Sequence, residues 1–531
     1  MKSLTITLLL SCFVLSAFAQ LPPPDYMEKK EGITYAKTIT VDEMKKHLNI
    51  IASDAFEGRE TGTEGANKAA KYITSQLESF GVKPLKQLGD SYYQKVAYSF
   101  QEWGDVTVSA NGHEYKIMRD FYSFASGNVD MPEITADEIM FLGYGIDHED
   151  YSDYKGVDVK GKVIIIQEGE PRDASGLSII TGTKKGSKFK SQQKMAAAYQ
   201  NGVKLVLVIS PNTMKTINRY GNYLIEPSIS LFNEGKEQTM ANHMFISPSM
   251  AKGVLGKKFN KIGKTNKKLL KTKTPQNITI ATDFKAQMNK TAEVVNTSNI
   301  LGFIEGIDPE KKDEVVIVSA HYDHIGKRGE DVFNGADDNG TGTTALLEMV
   351  QAFAQAKADG IGPRRSVLFL WVAGEEKGLL GSEYYSENPI FPLENTVADI
   401  NVDMIGRTDK EYAEKGTSDY IHVIGSDRLS TELHAINENM NQKHTNIILD
   451  YKYNDKKDPN RYYYRSDHYN FAKNGIPSIF YFSGVHEDYH KATDTVDKIE
   501  FVKMQKIAKL IFHVAWQLSN QEKRIEVDVE E

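Results

Sequence analysis

Between His321 and His490, histidines and carboxylates recur directly after apolar, β-branched runs. The clusters read V-V-I-V-S-A-H-Y-D-H, N-G-A-D-D-N-G-T-G, V-L-F-L-W-V-A-G-E-E, I-N-V-D-M-I-G and D-Y-H. Each falls where a buried strand should end and a loop begin, which is where open α/β sheets gather ligand-binding groups. Two histidines and at least three carboxylates at strand ends are enough for two metal ions sharing a bridging carboxylate. The donors are all nitrogen and oxygen, a set that suits zinc and also accepts cobalt or manganese. Such a paired site polarises a carbonyl, generates hydroxide near neutral pH and holds a developing oxyanion, so the chemistry expected is hydrolysis.

Glu375-Glu376 is the informative pair. Neighbouring side chains on a regular strand point to opposite faces, but where a strand turns into a loop both can converge on one site. One carboxylate then binds metal while the other stays free as a general base. The competing reading is that the pair merely opens a helix, where acidic residues are favoured.

The elements that must position these residues follow from hydrophobic pattern. From Ile300 onward strands alternate with helices, the signature of a largely parallel sheet. Val315–Ser319, Ser366–Val372, Thr396–Val402 and Ile476–Phe482 are predicted strands, and Gly340–Ala356 and Val496–Asn520 the clearest helices. Upstream, Thr40-Val41-Asp42-Glu43 is a capping box that opens a short helix. Phe56 to Thr63 is a Gly-punctuated loop, and a helix over Glu64–Phe80 is capped by Gly81. Residues 91–283 change to short β-rich pieces, such as Val106–Ala110, Ile139–Tyr144 and Val163–Gln167, with a lysine-rich end from Lys252 to Lys273. The block lacks the acidic clusters and is read as a domain inserted into a discontinuous catalytic one, residues 39–90 and 284–524.

A chain of 531 residues is long enough for two to four domains. The net charge of -8 offers no electrostatic case for nucleic acid. Lys2, an apolar run from Leu4 to Phe18 and Ala17-Phe18-Ala19 form a secretory signal over residues 1–19, with cleavage after Ala19. A Pro-rich leader follows over residues 20–38, and residues 525–531 form an acidic tail. The one cysteine, Cys12, lies in the signal, so the mature chain has no disulfides; lipidation of Cys12 fits poorly because Leu10 is a poor match. No later run is long enough for a membrane span. The expected destination is the periplasm or the exterior.

At this point the motifs carry a resemblance. H-Y-D at His321–Asp323, G-A-D-D-N-G-T-G at Gly335–Gly342, G-E-E-K-G-L-L-G-S at Gly374–Ser382, N-V-D-M-I-G at Asn401–Gly406 and Y-H-K-A-T-D-T at Tyr489–Thr495 occur in this order. In this the chain resembles the co-catalytic zinc exopeptidase family that includes bacterial leucyl aminopeptidase, aminopeptidase Y, glutamate carboxypeptidase II and the transferrin receptor ectodomain. The resemblance implies an α/β fold, with a mixed, mostly parallel sheet flanked by helices, and two zinc ions per chain. It makes Asp338 the bridging ligand, with His321 and Asp403 completing one metal and Glu376 and His490 the other. Asp337 is the competitor for bridging. Glu375 is implied as the general base, Asp323 as the group that orients His321, and Tyr489 as an oxyanion stabiliser or else a packed aromatic. Asp494 orients His490 or caps a helix. His324 and His468 are read as structural, and His47, His422, His486 and His513 are among the histidines without motif context.

Tyr154–Val163 and Lys194–Val203 look like parts of a protease-associated (PA) domain, implied to cover the cleft. The function expected is an exported zinc metallopeptidase acting on peptides with a metal-bridging hydroxide, an aminopeptidase first. The alternatives are a carboxypeptidase of the same family, in which Arg407, Arg461 or Arg465 grips a carboxylate, a glutaminyl cyclase-like enzyme with one zinc, and a non-catalytic receptor-like ectodomain. Association into a homodimer stays open.

Overall fold

The computed structural model describes residues 31–184, 189–233, 235 and 238–530. The expected secretory signal, most of the expected leader and Cys12 lie outside the described residues. The chain divides into two compact units, one of Met1–Gln94 with Asn299–Glu531 and one of Lys95–Ser298.

The sheet of the first unit uses residues 300–304 (β1, the end of the strand Asn277–Ile304), Val315–His321 (β2), Ser366–Val372 (β3), Thr396–Val402 (β4), Tyr420–Ile424 (β5), Ile448–Asp450 (β6) and Ser478–Phe482 (β7). Its order is β6-β5-β7-β4-β2-β3-β1. The central neighbours β3, β2, β4 and β7 all run parallel, while β1 and β5 join antiparallel. The sheet is therefore mixed and mostly parallel. Strands β2, β3 and β4 are buried at every residue, which explains why they read as continuous apolar runs rather than as alternation.

Both faces are covered. Val316, Val318, Phe369 and Trp371 pack into the core with the helices Gly342–Ala358 (α3) and Phe501–Asn520 (α4). Ile317, Leu368 and Leu370 pack on the other side with Tyr385 and Phe471. The helix α3 has twelve of its residues buried, consistent with a chain of Ala, Leu and Met that is apolar around most of its circumference. Two earlier helices, Val41–Ile51 (α1) and Glu64–Ser79 (α2), start at Thr40 and Thr63, whose hydroxyls accept from the N–H groups of Glu43 and Ala66.

The predicted helix Val496–Asn520 is interrupted. A short turn, Val496–Lys498, is followed by extended Ile499, and α4 begins only at Phe501. The reason is local: Ile499 is buried, and the Glu500 N–H bonds to the Gly406 carbonyl at 2.8 Å instead of continuing a helix.

The second unit has its own apolar core, including Ile139, Phe141, Ile165 and Leu207. Met131–Leu142, Val163–Gln167, Leu205–Ile209 and Asn242–Ile246 run parallel in that order, and Met131–Leu142 also pairs antiparallel with Asn277–Ile304. Several strands are longer than the short pieces read from sequence; Tyr93–Ala110 continues through Gly104 and the polar residues that break up its apolar pattern. The lysine-rich segment forms the helix Phe259–Thr272, which buries Ile262, Thr265 and Leu269 and exposes most of its lysines. Among the described residues no helix is long and apolar enough to cross a membrane.

Candidate metal centre

Parallel strands deliver their loops to one edge of a sheet, and here the polar clusters all leave from it. His321 is the last residue of β2, Asp403 follows β4, Glu375 and Glu376 follow β3, and His490 lies in the loop after β7. Asp338 sits in the irregular turn Ala336–Thr341 that leads into α3. The ends of four neighbouring strands thus converge, as expected at the carboxyl edge of an open α/β sheet.

Asp338 is central. Its Oδ1 lies 3.4 Å from His321 Nε2, and its Oδ2 lies 3.0 Å from His490 Nε2. Asp403 Oδ1 is 3.3 Å from the same His321 nitrogen, and Glu376 Oε2 is 3.2 Å from the same His490 nitrogen. All five residues implied as ligands are therefore gathered around one carboxylate whose two oxygens face opposite sides.

Adjacent Glu375 and Glu376 differ. Glu376 turns both oxygens to imidazoles, Oε1 to His324 Nδ1 at 2.8 Å and Oε2 to His490. Against the push of burial, these histidines hold its carboxyl well below the ordinary range. The Glu375 carboxylate comes no nearer to an imidazole than 3.9 Å, at His321 Nε2. Burial pushes the Glu375 carboxyl well above the ordinary range, with Asp403 and Glu376 adding to it against the pull of His321.

Support comes from behind. His321 Nδ1 lies 3.1 Å from the backbone carbonyl of Asp323 and 3.8 Å from its carboxylate. The carbonyl is thus the nearer orienting group, while the Asp323 carboxylate accepts from the Thr61 hydroxyl (2.7 Å) and the Glu375 N–H (3.3 Å). The Asp494 carboxylate accepts the N–H groups of Asp337 and Asp338, which pins the turn that carries Asp338. Asp337 is turned to other partners: it accepts from Gly406 N–H and the Thr341 hydroxyl and lies 3.3 Å from His486 Nε2. Tyr489 stacks on His490, with ring centroids 3.9 Å apart, and lines a pocket with Asp338, Glu375 and Asp403. Met404, Tyr462, Phe480, Phe482 and Val485 form its apolar wall, and Arg465 stands at its exposed rim over the Tyr462 ring. Arg407 pairs instead with Asp488 at 2.9 Å, and Arg461 lies over Tyr464.

Two histidines read as structural or contextless belong to this neighbourhood. His324 is fully buried against Glu376, and His486 against Asp337. The H-x-x-H spacing after His321 is a signal for His324; nothing in the sequence around His486 distinguishes it. His468 is buried and stacked on Phe480, as a packed histidine should be. Arg59 carries no signal of its own, because it sits in a loop 263 residues before its partner Tyr322 in the first motif.

The donor set fits a metal. His321, Glu375 and Asp403 form one group, and His324, Asp338 and Glu376 another, whose potential ligand atoms all lie within 4.8 Å of one another. Four carboxylates in a largely buried cluster are costly unless cations compensate them. His490 Nε2 is buried without a hydrogen-bond partner although two carboxylate oxygens lie 3.0 and 3.2 Å away. Nitrogen and oxygen donors without sulfur suit zinc.

Fold and site together place a cluster of imidazoles and carboxylates able to hold metal at the carboxyl edge of a mostly parallel α/β sheet. Comparison with known proteins narrows this: residues 299–515 match the description Peptidase family M28, which places that segment in this family. The match begins at residue 299 and does not include the loop 56–63. A probable leucine aminopeptidase of Arthroderma otae is 33% identical over 223 residues, covering 41% of this chain and 57% of that protein. One of Trichophyton verrucosum is 32% identical over 229 residues, with the same coverage of 41% and 57%. The chain thus matches little more than half the length of these curated relatives. The solved aminopeptidase from Aneurinibacillus sp. strain AM-1 shares the fold, with a TM-score of 0.52 at 17% identity, covering 94% of this chain and 98% of that one.

Proposed function

We propose that the protein is a zinc-dependent exopeptidase holding two zinc ions per chain, and specifically an aminopeptidase that removes N-terminal residues from peptides. The observation that carries this reading is Asp338, whose two oxygens face His321 and His490, with the uncommitted carboxylate of Glu375 beside them. His321, Asp338 and Asp403 would hold one ion, and Asp338, Glu376 and His490 the other, with His324 in reach of Glu376. When bound, zinc supplies Lewis-acid polarisation and a nucleophile at neutral pH.

The chain's own residues do the rest. Glu375 accepts a proton from the attacking water and returns it to the amine nitrogen as the C–N bond breaks. Tyr489, beside His490, donates its hydroxyl proton in a hydrogen bond to the carbonyl oxygen as charge develops there. The apolar wall from Met404 to Val485 receives the side chain of the terminal residue. The matched leucine aminopeptidases support the choice of an aminopeptidase over a carboxypeptidase. We also propose export through residues 1–19 and a PA-like role for the inserted block, residues 91–283, each supported by sequence pattern alone.

The test is a panel assayed with the zinc-loaded protein. Free aminoacyl anilides and peptides are cleaved, and the same peptides N-acetylated are not. Metal analysis finds two zinc ions per chain. Release from the carboxyl end points to the carboxypeptidase alternative. Cyclisation of N-terminal glutamine with one zinc points to the cyclase. No turnover on any substrate sinks the enzyme reading.

A further inference from the structure

Three consecutive residues in the loop after α1 each reach a different part of the metal centre. Arg59 is wholly buried, and its side-chain hydrogen bonds go to backbone carbonyls. Its Nε donates to Tyr322 O at 2.9 Å, between ligand His321 and Asp323. Its Nη1 donates to Ile51 O and Asn334 O at 3.0 and 2.6 Å, and its Nη2 to Gly335 O at 2.9 Å, just before Asp338. Glu60 takes the Lys377 ammonium at 2.7 Å, directly after Glu375-Glu376, and pairs as a β-bridge with His324. Thr61 donates to the Asp323 carboxylate at 2.7 Å.

The loop is built for this contact. The backbone of Arg59 has φ 49° and that of Gly58 φ 66°. A Cβ at Gly58 would lie 2.4 Å from Gly326 O, so only glycine lets the loop approach the segment after His324. Gly326 N–H donates to Gly58 O at 3.1 Å, and His324 N–H to Arg59 O at 3.2 Å.

We infer that Arg59, Glu60 and Thr61 are positioning residues that hold the segments bearing His321, Glu375-Glu376 and Asp338 in register for metal binding. A guanidinium is suited to this because its planar fork offers five donors in fixed directions, whereas an ammonium offers a point. Thr61 acts through Asp323, which in turn receives the Glu375 N–H and presents its carbonyl to His321. The inference rests on the metal-centre part of the function proposed above.

The test uses the full chain carrying Thr61→Val, Thr61→Ser or Arg59→Lys. Zinc affinity is measured by chelator competition, folding by melting of the metal-free protein, and kcat and KM on the zinc-loaded protein. Groups that orient metal ligands typically affect metal affinity by about 10–100-fold, and a loss of that order is expected for Thr61→Val and Arg59→Lys. Metal-free Thr61→Val should still fold, with its melting lowered only as far as the loss of one buried hydrogen bond requires; kcat should fall with KM unchanged, and Thr61→Ser should restore both zinc affinity and kcat. A folded Thr61→Val with zinc affinity within about twofold of wild type would overturn the inference. Should Arg59→Lys fail to fold, the Thr61 pair decides alone. The peptidase reading is judged by wild-type turnover, and this one by a ratio of zinc affinities that turnover does not enter.

Discussion

Replacing Glu375 or Glu376 by glutamine changes one oxygen to an amide nitrogen in each case, yet the two variants should fail differently. Glu376 has both carboxylate oxygens committed, one to His324 at 2.8 Å and one within 3.2 Å of His490. An amide there would present an NH2 group where one of these acceptors stood, so Glu376→Gln should lose one zinc ion. Glu375 has no such commitment; its closest imidazole is 3.9 Å away, and its backbone is fixed by the N–H bond to Asp323. In Glu375→Gln the amide can therefore occupy the same place with the ligands undisturbed. Removing a positioned general base costs about 100- to 10,000-fold in rate. At about 1.4 kcal/mol per factor of ten, that is roughly 3–5.5 kcal/mol of transition-state stabilisation. The assay is kcat and KM on a free aminoacyl anilide, with zinc counted on each purified variant. Glu375→Gln should keep two zinc ions and an unchanged KM while kcat collapses. If Glu375→Gln loses zinc and Glu376→Gln keeps it, the roles have been assigned the wrong way round. Turnover by Glu375→Gln within about tenfold of wild type would remove Glu375 as the base altogether.

Two further outcomes are expected. Tyr489→Phe keeps the ring stacked on His490 but removes the hydroxyl, so kcat should fall by about 100-fold or more with zinc retained, the scale seen when one oxyanion donor is deleted; an unchanged kcat would leave Tyr489 as a packed aromatic. Glu348, buried in the core and accepting from the Thr40 N–H, has its carboxyl pushed by burial from 4.5 up to about 7. Its folded form keeps a proton that the unfolded chain releases, so stability is full below about 4.5 and is lost as pH rises through about 7. His47, 3.7 Å away and lowered by burial to about 4, works in the opposite sense and loses stability as pH falls from 6.5. Glu348→Gln should therefore gain on wild type between these limits, by at most about 3 kcal/mol at pH 8, read as a rising difference in urea midpoints; parallel pH profiles for the two proteins would refute it.

What the sequence made legible depends on how locally each feature is encoded. Strands β2, β3 and β4 are buried on both faces and so announce themselves as apolar runs, and the ligands follow because the carboxyl edge of a parallel sheet lies next to those runs in the chain. The division between Glu375 and Glu376 needed more, since it depends on His324 and His490 approaching from different loops. His486 was opaque for the same reason: its partner Asp337 lies far earlier in the chain, and neither neighbourhood carries the other's mark. Arg59 is the extreme case. A buried arginine bound to carbonyls leaves no charge pattern, because its partners Tyr322, Asn334 and Gly335 contribute only backbone, which any residue type supplies. Motifs therefore disclose the side chains that meet a metal or a substrate, and conceal the groups that hold those side chains through the main chain. For this protein the concealed layer begins beside a glycine, Gly58, whose missing Cβ allows the loop to pass within reach of the Gly326 carbonyl. Gly58→Ala should thus weaken zinc binding without touching a ligand, since it would displace the Arg59, Glu60 and Thr61 contacts together. Chelator competition on the folded variant checks this, and wild-type zinc affinity would show that the loop can shift without moving the ligands.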